Sequence, residues 1–321
     1  MSYWNTPLVI GKLSVPRFLG GPLDGLTDAP FRAVTRSFAG AALLYTEIRH
    51  VAAVVKMPRA LVVVDQATRP INFQMTAGCT DYIADACSIV LDQGVDAIDL
   101  NIGCPAPHVV GSGSGSALMG DIKRLETILK CFRSHVSCPF TVKMRAGFKE
   151  YNAEVIAQLC QDCGADALAV HPRLQKQKFK GAPDYRILAA VKKQVQIPVI
   201  VSGGINDFET AQAVYNQTGV DGFLVGRAQL GAPWLLYQME EQAAGRSHGL
   251  GQSVMYDAIA KHMKLIERYY GNKGLPLAIR HLGFYMRGHE CAGLIRRCAQ
   301  ASKDWASLHE LVRNNIRDAY E

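Results

Sequence analysis

Residues 96–105 read Asp-Ala-Ile-Asp-Leu-Asn-Ile-Gly-Cys-Pro. A short, mostly apolar run ends at Asn101, and a Gly-Cys-Pro turn follows. A run of this length and character reads as a strand buried on both faces. Working outward, seven further runs of the same kind occupy residues 17–22, 41–47, 70–74, 140–145, 167–171, 198–202 and 222–227. Between them lie segments with helical spacing, among them 81–92, 121–134, 154–163, 185–193 and 207–217.

Strands that alternate with helices imply βαβ units and a parallel sheet. Eight such units predict an α/β fold, a closed (β/α)8 TIM barrel over residues 1–244, close to the ~250 residues such barrels take. A doubly wound open sheet is the alternative. Beyond a Gly-containing linker at 243–251 the pattern changes. Residues 253–270 and 275–287 read as helices, 292–319 as one or two more, and no strand-like run appears. Residues 245–321 are therefore expected to form a small all-helical C-terminal domain.

Bulk properties narrow the function classes. The chain has 321 residues, 49% hydrophobic and 20% charged, enough for a large core. No apolar run approaches the roughly 18 residues of a membrane span. Residues 1–12 lack a basic-then-apolar signal layout, so a cytoplasmic location is expected. Nine cysteines at irregular spacing argue against a secreted disulfide framework. The net charge is +7, and residues 245–321 carry twelve Lys and Arg against seven Asp and Glu. Five of the nine histidines lie there too. A basic terminal region suggests a polyanionic partner, most commonly nucleic acid, although a solvated helical surface has the same composition.

In a barrel, chemistry gathers at the C-terminal strand ends. These ends carry Pro22-Leu23-Asp24, Glu47, Gln74, Asn101 with Cys104, Lys143 with Arg145, His171, Ser202-Gly203-Gly204 and Gly226-Arg227. Loops after the seventh and eighth strands often bind phosphate. Backbone amides at Gly203, Gly204 and Gly226 would approach one closely, and Arg227 would add a forked contact. The same glycines could simply serve tight turns. Lys143 and His171 would form a cationic pair facing an anionic ligand, such as a reduced flavin. Gln74 and Asn101 would meet the amide-like edge of such a ring, or else satisfy loop backbone.

Cys104 sits in a turn at the mouth, which favours reactivity over packing. A free thiol, with a pKa near ~8.5, is mostly protonated at neutral pH, the state a general acid needs. Cys160 and Cys163 have the spacing of a metal half-site, but lie in a helical pattern with no second pair, so no metal is expected. The Gly-Ser-Gly-Ser-Gly-Ser stretch at 111–116 does not directly follow a strand, as a dinucleotide fingerprint must. It is expected to belong to a mobile loop that carries Cys104 over the mouth.

Taken in order, Pro22-Leu23-Asp24-Gly25 with Thr27-Asp28-x-x-Phe31-Arg32, Thr46-Glu47, Gln74, Asn101-x-Gly103-Cys104-Pro105, Lys143-x-Arg145-x-Gly147, His171-x-Arg173, Gly203-Gly204 and Gly226-Arg227 resemble the motifs of the tRNA-dihydrouridine synthases. The match runs over about 210 residues, strand end by strand end. The basic helical tail, with Arg280-His281 and Arg296-Arg297, resembles that family's RNA-binding domain more loosely.

The resemblance implies FMN held by Pro22, Leu23, Asp24, Gln74, Lys143, His171, Ser202, Gly203, Gly204, Gly226 and Arg227, with NADPH as reductant. It implies a flipped tRNA uridine, at D-loop position 16 or 17, reduced by hydride at C6 and protonated at C5 by Cys104. Glu47, Asn101, Arg145, Arg173 and Phe179 would contact the substrate. Arg280, Arg287, Arg296 and Arg297 would hold tRNA phosphates, and the protein would act as a monomer.

The chain departs from the family pattern in several places. Pro107 and His108 stand where relatives carry a lysine after the Cys-Pro pair. Pro172-Arg173-Leu174 replaces Gly-Arg-Thr, Phe179 replaces a hydroxylated aromatic, and Ser202 replaces an asparagine. The competing readings are an FMN barrel acting on a small pyrimidine or other small molecule, and a catalytically silent RNA-binding protein. The basic tail argues against the first, since a small substrate needs no such surface.

Overall fold

A computed structural model of the chain describes residues 3–316 apart from 62 and 248. An antiparallel hairpin, β1 (Leu8–Ile10) and β2 (Leu13–Val15), comes first. The remaining strands are β3 (Phe18–Gly20), β4 (Leu44–Tyr45), β5 (Arg49–His50), β6 (Ile71–Thr76), β7 (Ala97–Asn101), β8 (Phe140–Gly147), β9 (Ala167–Leu174), β10 (Val199–Ser202) and β11 (Gly222–Val225). Their pairings are all parallel and follow the order β4-β3-β11-β10-β9-β8-β7-β6. The further pairing of β4 with β6 closes an eight-stranded ring, and β5 adds two residues beside β6. Each of the eight apolar runs thus supplies one barrel strand, and the open-sheet alternative is excluded.

Three strands outrun their predicted ends: β6 to Thr76, β8 to Gly147 and β9 to Leu174. Beyond the predicted ends β6 carries Thr76 and β9 carries Arg173, both buried polar residues at which an apolarity criterion cuts a strand short, while β8 runs on past Arg145 through Ala146 and Gly147. A register shift in the β8–β9 pairing between Arg145 and Gly147 turns the chain outward into the following loop.

The β1–β2 hairpin was not legible in the sequence, because three-residue strands are too short for a periodicity. Its Leu8, Ile10 and Val15 are buried against Leu19, Tyr45, Ala167, Ala169, Ile200 and Leu224, all on barrel strands. The hairpin therefore stoppers the N-terminal end of the barrel. Burial of each large aliphatic side chain there stabilises the fold by about 1.5–3 kcal/mol.

The expected helices are present with small boundary shifts, for example Ile122–His135 and Phe208–Thr218. These two have acidic N-caps: Asp121 accepts from the Arg124 amide at 3.1 Å and Asp207 from the Thr210 amide at 2.7 Å. After the helix Leu235–Ala243 come Gln252–Tyr270, Leu275–Tyr285, Ala292–Ala301 and Trp305–Leu311, then a π-turn, Val312–Ile316. The stretch expected at 292–319 is two helices because Asp304 caps a new one, accepting from the Ser307 amide at 2.9 Å. Residues 317–319 of that expectation lie outside the described residues. Ile259, Met263, Ile266, Leu282, Ile295 and Leu308 form the core of this helical region, together with Val34 and Trp234 from the barrel's outer layer. Among the described residues, no helix is long and apolar enough to cross a membrane.

Candidate active site

A cavity of about 530 Å³ opens at the C-terminal ends of the barrel strands. Lining it are Pro22, Leu23, Asp24, Gln74, Asn101, Cys104, Lys143, Arg145, His171, Arg173, Phe179, Ser202, Gly203, Gly204, Gly226 and Arg227. Glu47 is not among them. Its carboxylate turns to the Gly25 amide at 2.8 Å and to Arg49 at 2.8 Å, and so braces the turn after β3. Arg280, Arg287, Arg296 and Arg297 are exposed on the helical region, away from the cavity.

A buried polar ladder crosses the barrel below the mouth. Thr141 Oγ1 donates to Asp99 Oδ1 at 2.6 Å, and Gln74 Nε2 donates to Asp99 Oδ2 at 2.8 Å. Asn101 Nδ2 donates to Gln74 Oε1 at 2.8 Å, and Asn101 Oδ1 accepts from the amides of Gly103 and Cys104 at 2.9 Å each. An ionised carboxylate only accepts. Asp99 therefore dictates which way Gln74 faces, Gln74 dictates Asn101, and Asn101 grips the cysteine turn. Sequence reading missed Asp99, because it lies mid-strand and not at an end; the only signal was a charged residue inside an apolar run.

Burial raises the Asp99 pKa against the donors Thr141 and Gln74 and the charge of Lys143. Burial, then the neighbouring Arg145, lowers that of Lys143. The two side chains share one electrostatic environment inside the barrel.

Of the segment expected to belong to a mobile loop, Gly111 and Ser112 are exposed, whereas the second half is packed against the Cys104 turn. Ser114, Gly115 and Ser116 are buried. The Ser116 amide donates to the Cys104 carbonyl at 3.1 Å, and the Gly115 amide to Thr76 Oγ1 at 3.2 Å. Gly115 has φ +57°, and a Cβ there would lie 2.9 Å from the Cys104 carbonyl oxygen. The repeated glycines thus allow close packing under a fixed thiol.

Arg145 pins the other side of the turn. Its Nε donates to the Gly103 carbonyl at 2.7 Å and its Nη1 to the Lys178 carbonyl at 2.9 Å. The expected cationic His171 is corrected by its surroundings. Burial, then Lys143, Arg145, Arg173 and Arg227, drives its pKa down to about 2. Arg173 Nη1, which can only donate, faces His171 Nε2 at 3.2 Å, so this nitrogen is the acceptor of a neutral ring. Lys143 and the three arginines supply the positive charge. Above them Phe179 is 55% exposed, with the Arg145 and Arg227 guanidinium carbons 5.5 and 5.2 Å from its ring centre. An exposed ring flanked by two cations is a platform on which a flat base can stack.

The turn after β10 is a cradle that side chains would fill. Gly203 has φ +117° and Gly204 φ +83°. A Cβ on Gly203 would lie 2.6 Å from the His171 ring, and one on Gly204 2.2 Å from the Tyr185 hydroxyl. Pro183 and Tyr185 also line the cavity; sequence reading assigned them no role because they lie past the β9 tip, in the next helix's approach. Bare backbone and an arginine after the last two strands, with Lys143, Arg145 and a thiol close together on the neighbouring strand ends, suit a planar, phosphorylated, anion-forming cofactor.

Comparison with known proteins agrees with this geometry. The family described as "Dihydrouridine synthase (Dus)" matches residues 19–321. The chain is 33% identical over 304 residues to the probable tRNA-dihydrouridine synthase 1 of Synechocystis sp., covering 91% of this chain and 84% of that one. It is 33% identical over 294 residues to tRNA-dihydrouridine synthase B of Xanthomonas axonopodis pv. citri, covering 87% of each. Among solved structures, the old yellow enzyme homologue of Zymomonas mobilis superposes with a TM-score of 0.55 at 14% identity, over 76% of this chain and 93% of that one; at this identity the likeness is one of fold. The match to the family over nearly the whole chain, together with a cavity built from its motif residues, leads to one conclusion: the chain belongs to the dihydrouridine synthase family.

Proposed function

We propose that the protein is a tRNA-dihydrouridine synthase that holds FMN in the barrel mouth and reduces a D-loop uridine, at position 16 or 17, to 5,6-dihydrouridine. The observation that carries this reading is the meeting of Cys104 with Lys143, His171, Gly203, Gly204 and Arg227 in one cavity. Gly203, Gly204, Gly226 and Arg227 would take the cofactor phosphate, and Pro22, Leu23, Asp24, Gln74 and Ser202 its remaining edges. When bound, FMN supplies the hydride for C6 of the uracil and is itself reduced by NADPH.

The rest of the reaction belongs to the chain's own residues. Lys143 places positive charge where the reduced cofactor is anionic. Neutral His171, its Nε2 accepting from Arg173, has Nδ1–H left to donate a hydrogen bond without adding charge. Cys104 holds a proton at Sγ and delivers it to C5, completing addition across the C5–C6 bond. The Asp99–Gln74–Asn101 ladder keeps that proton in place. Phe179 and Arg145 steady the flipped base, and Arg173 steadies His171. Basic residues of the 245–321 region, among them Arg280, Arg287, Arg296 and Arg297, hold phosphates of the tRNA, while the protein acts as a cytoplasmic monomer.

Dihydrouridine mapping in tRNA from cells with and without the gene tests the reading. Loss of the modification at 16 or 17 in the deletion strain is expected. An unchanged map, or a purified protein with no flavin absorbance after incubation with FMN, would overturn it.

A further inference from the structure

Asp28, His262 and His281 converge where the helical region meets the barrel. Asp28 caps the helix Ala29–Arg36, His262 lies in Gln252–Tyr270 and His281 in Leu275–Tyr285. Asp28 is 2% exposed and both histidines 0%. One ligand atom from each lies within 4.8 Å of the other two. Among the described residues, Asp28 Oδ2, His262 Nε2 and both ring nitrogens of His281 have no partner at hydrogen-bond distance, although the Tyr270 hydroxyl approaches the Asp28 carboxylate closely enough to favour its ionised form. Buried polar atoms in native proteins are nearly always satisfied, so a cluster of unsatisfied ones points to a shared ligand.

The outer atoms of the cluster are already oriented. Tyr285 Oη lies 3.0 Å from His262 Nδ1, and Asp28 Oδ1 accepts from the Phe31 amide at 3.0 Å. These contacts leave His262 Nε2 and Asp28 Oδ2 as the atoms still open to a ligand, and outer hydrogen bonds orient metal ligands in the same way. Burial holds both imidazoles neutral, the form that ligates a metal. Two neutral imidazoles and one carboxylate match the donors of a borderline transition metal, whereas calcium and magnesium demand oxygen. Two cations act on the cluster: Arg32, beside Asp28, gives its Nη atoms to the carbonyls of Thr27 and Val63 while its Nε stays unpartnered, and Arg280 acts on His281; both temper the affinity for a cation.

We propose that Asp28, His262 and His281 bind one divalent ion of the zinc class, which ties the helical region to the barrel. Bonds of about 2.0–2.2 Å hold tetrahedral donors about 3.4 Å apart, so modest side-chain rotation closes the triad. A water supplies the fourth ligand through an adjoining cavity of about 510 Å³ lined by Asp28, Arg32, Tyr270 and Leu277, which is also the entry path. Spacing rules did not reveal this centre, since its ligands come from three elements far apart in the chain.

The test uses untagged full-length protein loaded with FMN, stripped with chelator and titrated with cobalt or zinc. Cobalt should give visible ligand-field bands that saturate at one ion per chain. Zinc should raise the melting temperature by roughly 5 °C at large excess over its dissociation constant. His281→Ala should lose both signals, while His135→Ala, an exposed histidine, should keep them. Asp28→Asn retains a capping side chain, so it should fold and bind cobalt at least about tenfold more weakly. Absent bands and an unmoved melting temperature in the wild type would overturn the proposal. So would bands indifferent to Asp28→Asn and His281→Ala, which would assign the ion elsewhere. None of these readouts depends on uridine reduction.

Discussion

At the scale of single residues, Cys104 is held from three sides: Asn101 grips its amide, Ser116 donates to its carbonyl, and Arg145 fixes the neighbouring Gly103. Cys104→Ala is expected to leave FMN and tRNA binding intact while uridine reduction falls by about 10²–10⁴, the usual worth of a general acid. Single-turnover reduction of unmodified tRNA checks this; wild-type turnover in the variant would remove Cys104 from the chemistry. Asp99→Asn tests the ladder. An amide at position 99 both donates and accepts, so it no longer dictates the orientation of Gln74 and Asn101. FMN should still bind, with kcat down by roughly 10²-fold and KM for tRNA little changed, the signature of a displaced reacting group. Most of this site was legible before any coordinates, because barrels place chemistry at strand ends and those ends stood out as polar residues closing apolar runs. Asp99 was not legible, since nothing local marks a charge inside a strand as functional. Nor was the neutral state of His171, which follows first from its burial and then from four cations gathered around it.

At the scale of elements, the turn after β10 is the most demanding. Gly204→Ala places a Cβ against the Tyr185 hydroxyl and Pro183 at a φ of +83°. The expected result is FMN affinity lowered at least tenfold in fluorescence titration, with the far-UV spectrum unchanged. A second test concerns the helix Leu235–Ala243. Burial pushes the Glu240 carboxyl up to about 7, with Glu241 adding to it, from an ordinary value of 4.5. Between pH 4.5 and 7 the folded chain keeps a proton that the unfolded chain has lost, so this residue's contribution to stability falls as pH rises through that window. Glu240→Gln should therefore match wild type near pH 4.5 and melt a few degrees higher above pH 7, when melting curves are compared across that range. The eight barrel strands and the long helices were readable from their periodicity. Residues 114–116, expected to belong to a mobile loop, are packed instead, because glycine and serine suit either a free loop or a tightly packed one, and only the contact with the Cys104 turn decides which.

At the scale of the whole molecule, the helical region and the barrel share one apolar core through Val34 and Trp234. The excess positive charge of residues 245–321 is therefore carried on a surface held fixed beside the barrel. Affinity for tRNA should fall linearly on a logarithmic salt scale, and Arg296→Ala with Arg297→Ala should flatten that slope by about 0.7–0.9 per lost contact. A slope indifferent to both substitutions would move the phosphate contacts off that helix. The hairpin at the other pole has a kinetic consequence. Leu8, Ile10 and Val15 pack against the far end of the barrel, and the cavity lined by Cys104, Lys143 and Arg227 opens at the opposite, C-terminal strand ends. On the function proposed above, nicotinamide and uracil would share that one mouth and take turns at the flavin, the oxidised dinucleotide leaving before the nucleic acid enters. Initial rates measured against both substrates should give parallel double-reciprocal lines, and intersecting lines would mean that the two substrates are accommodated together.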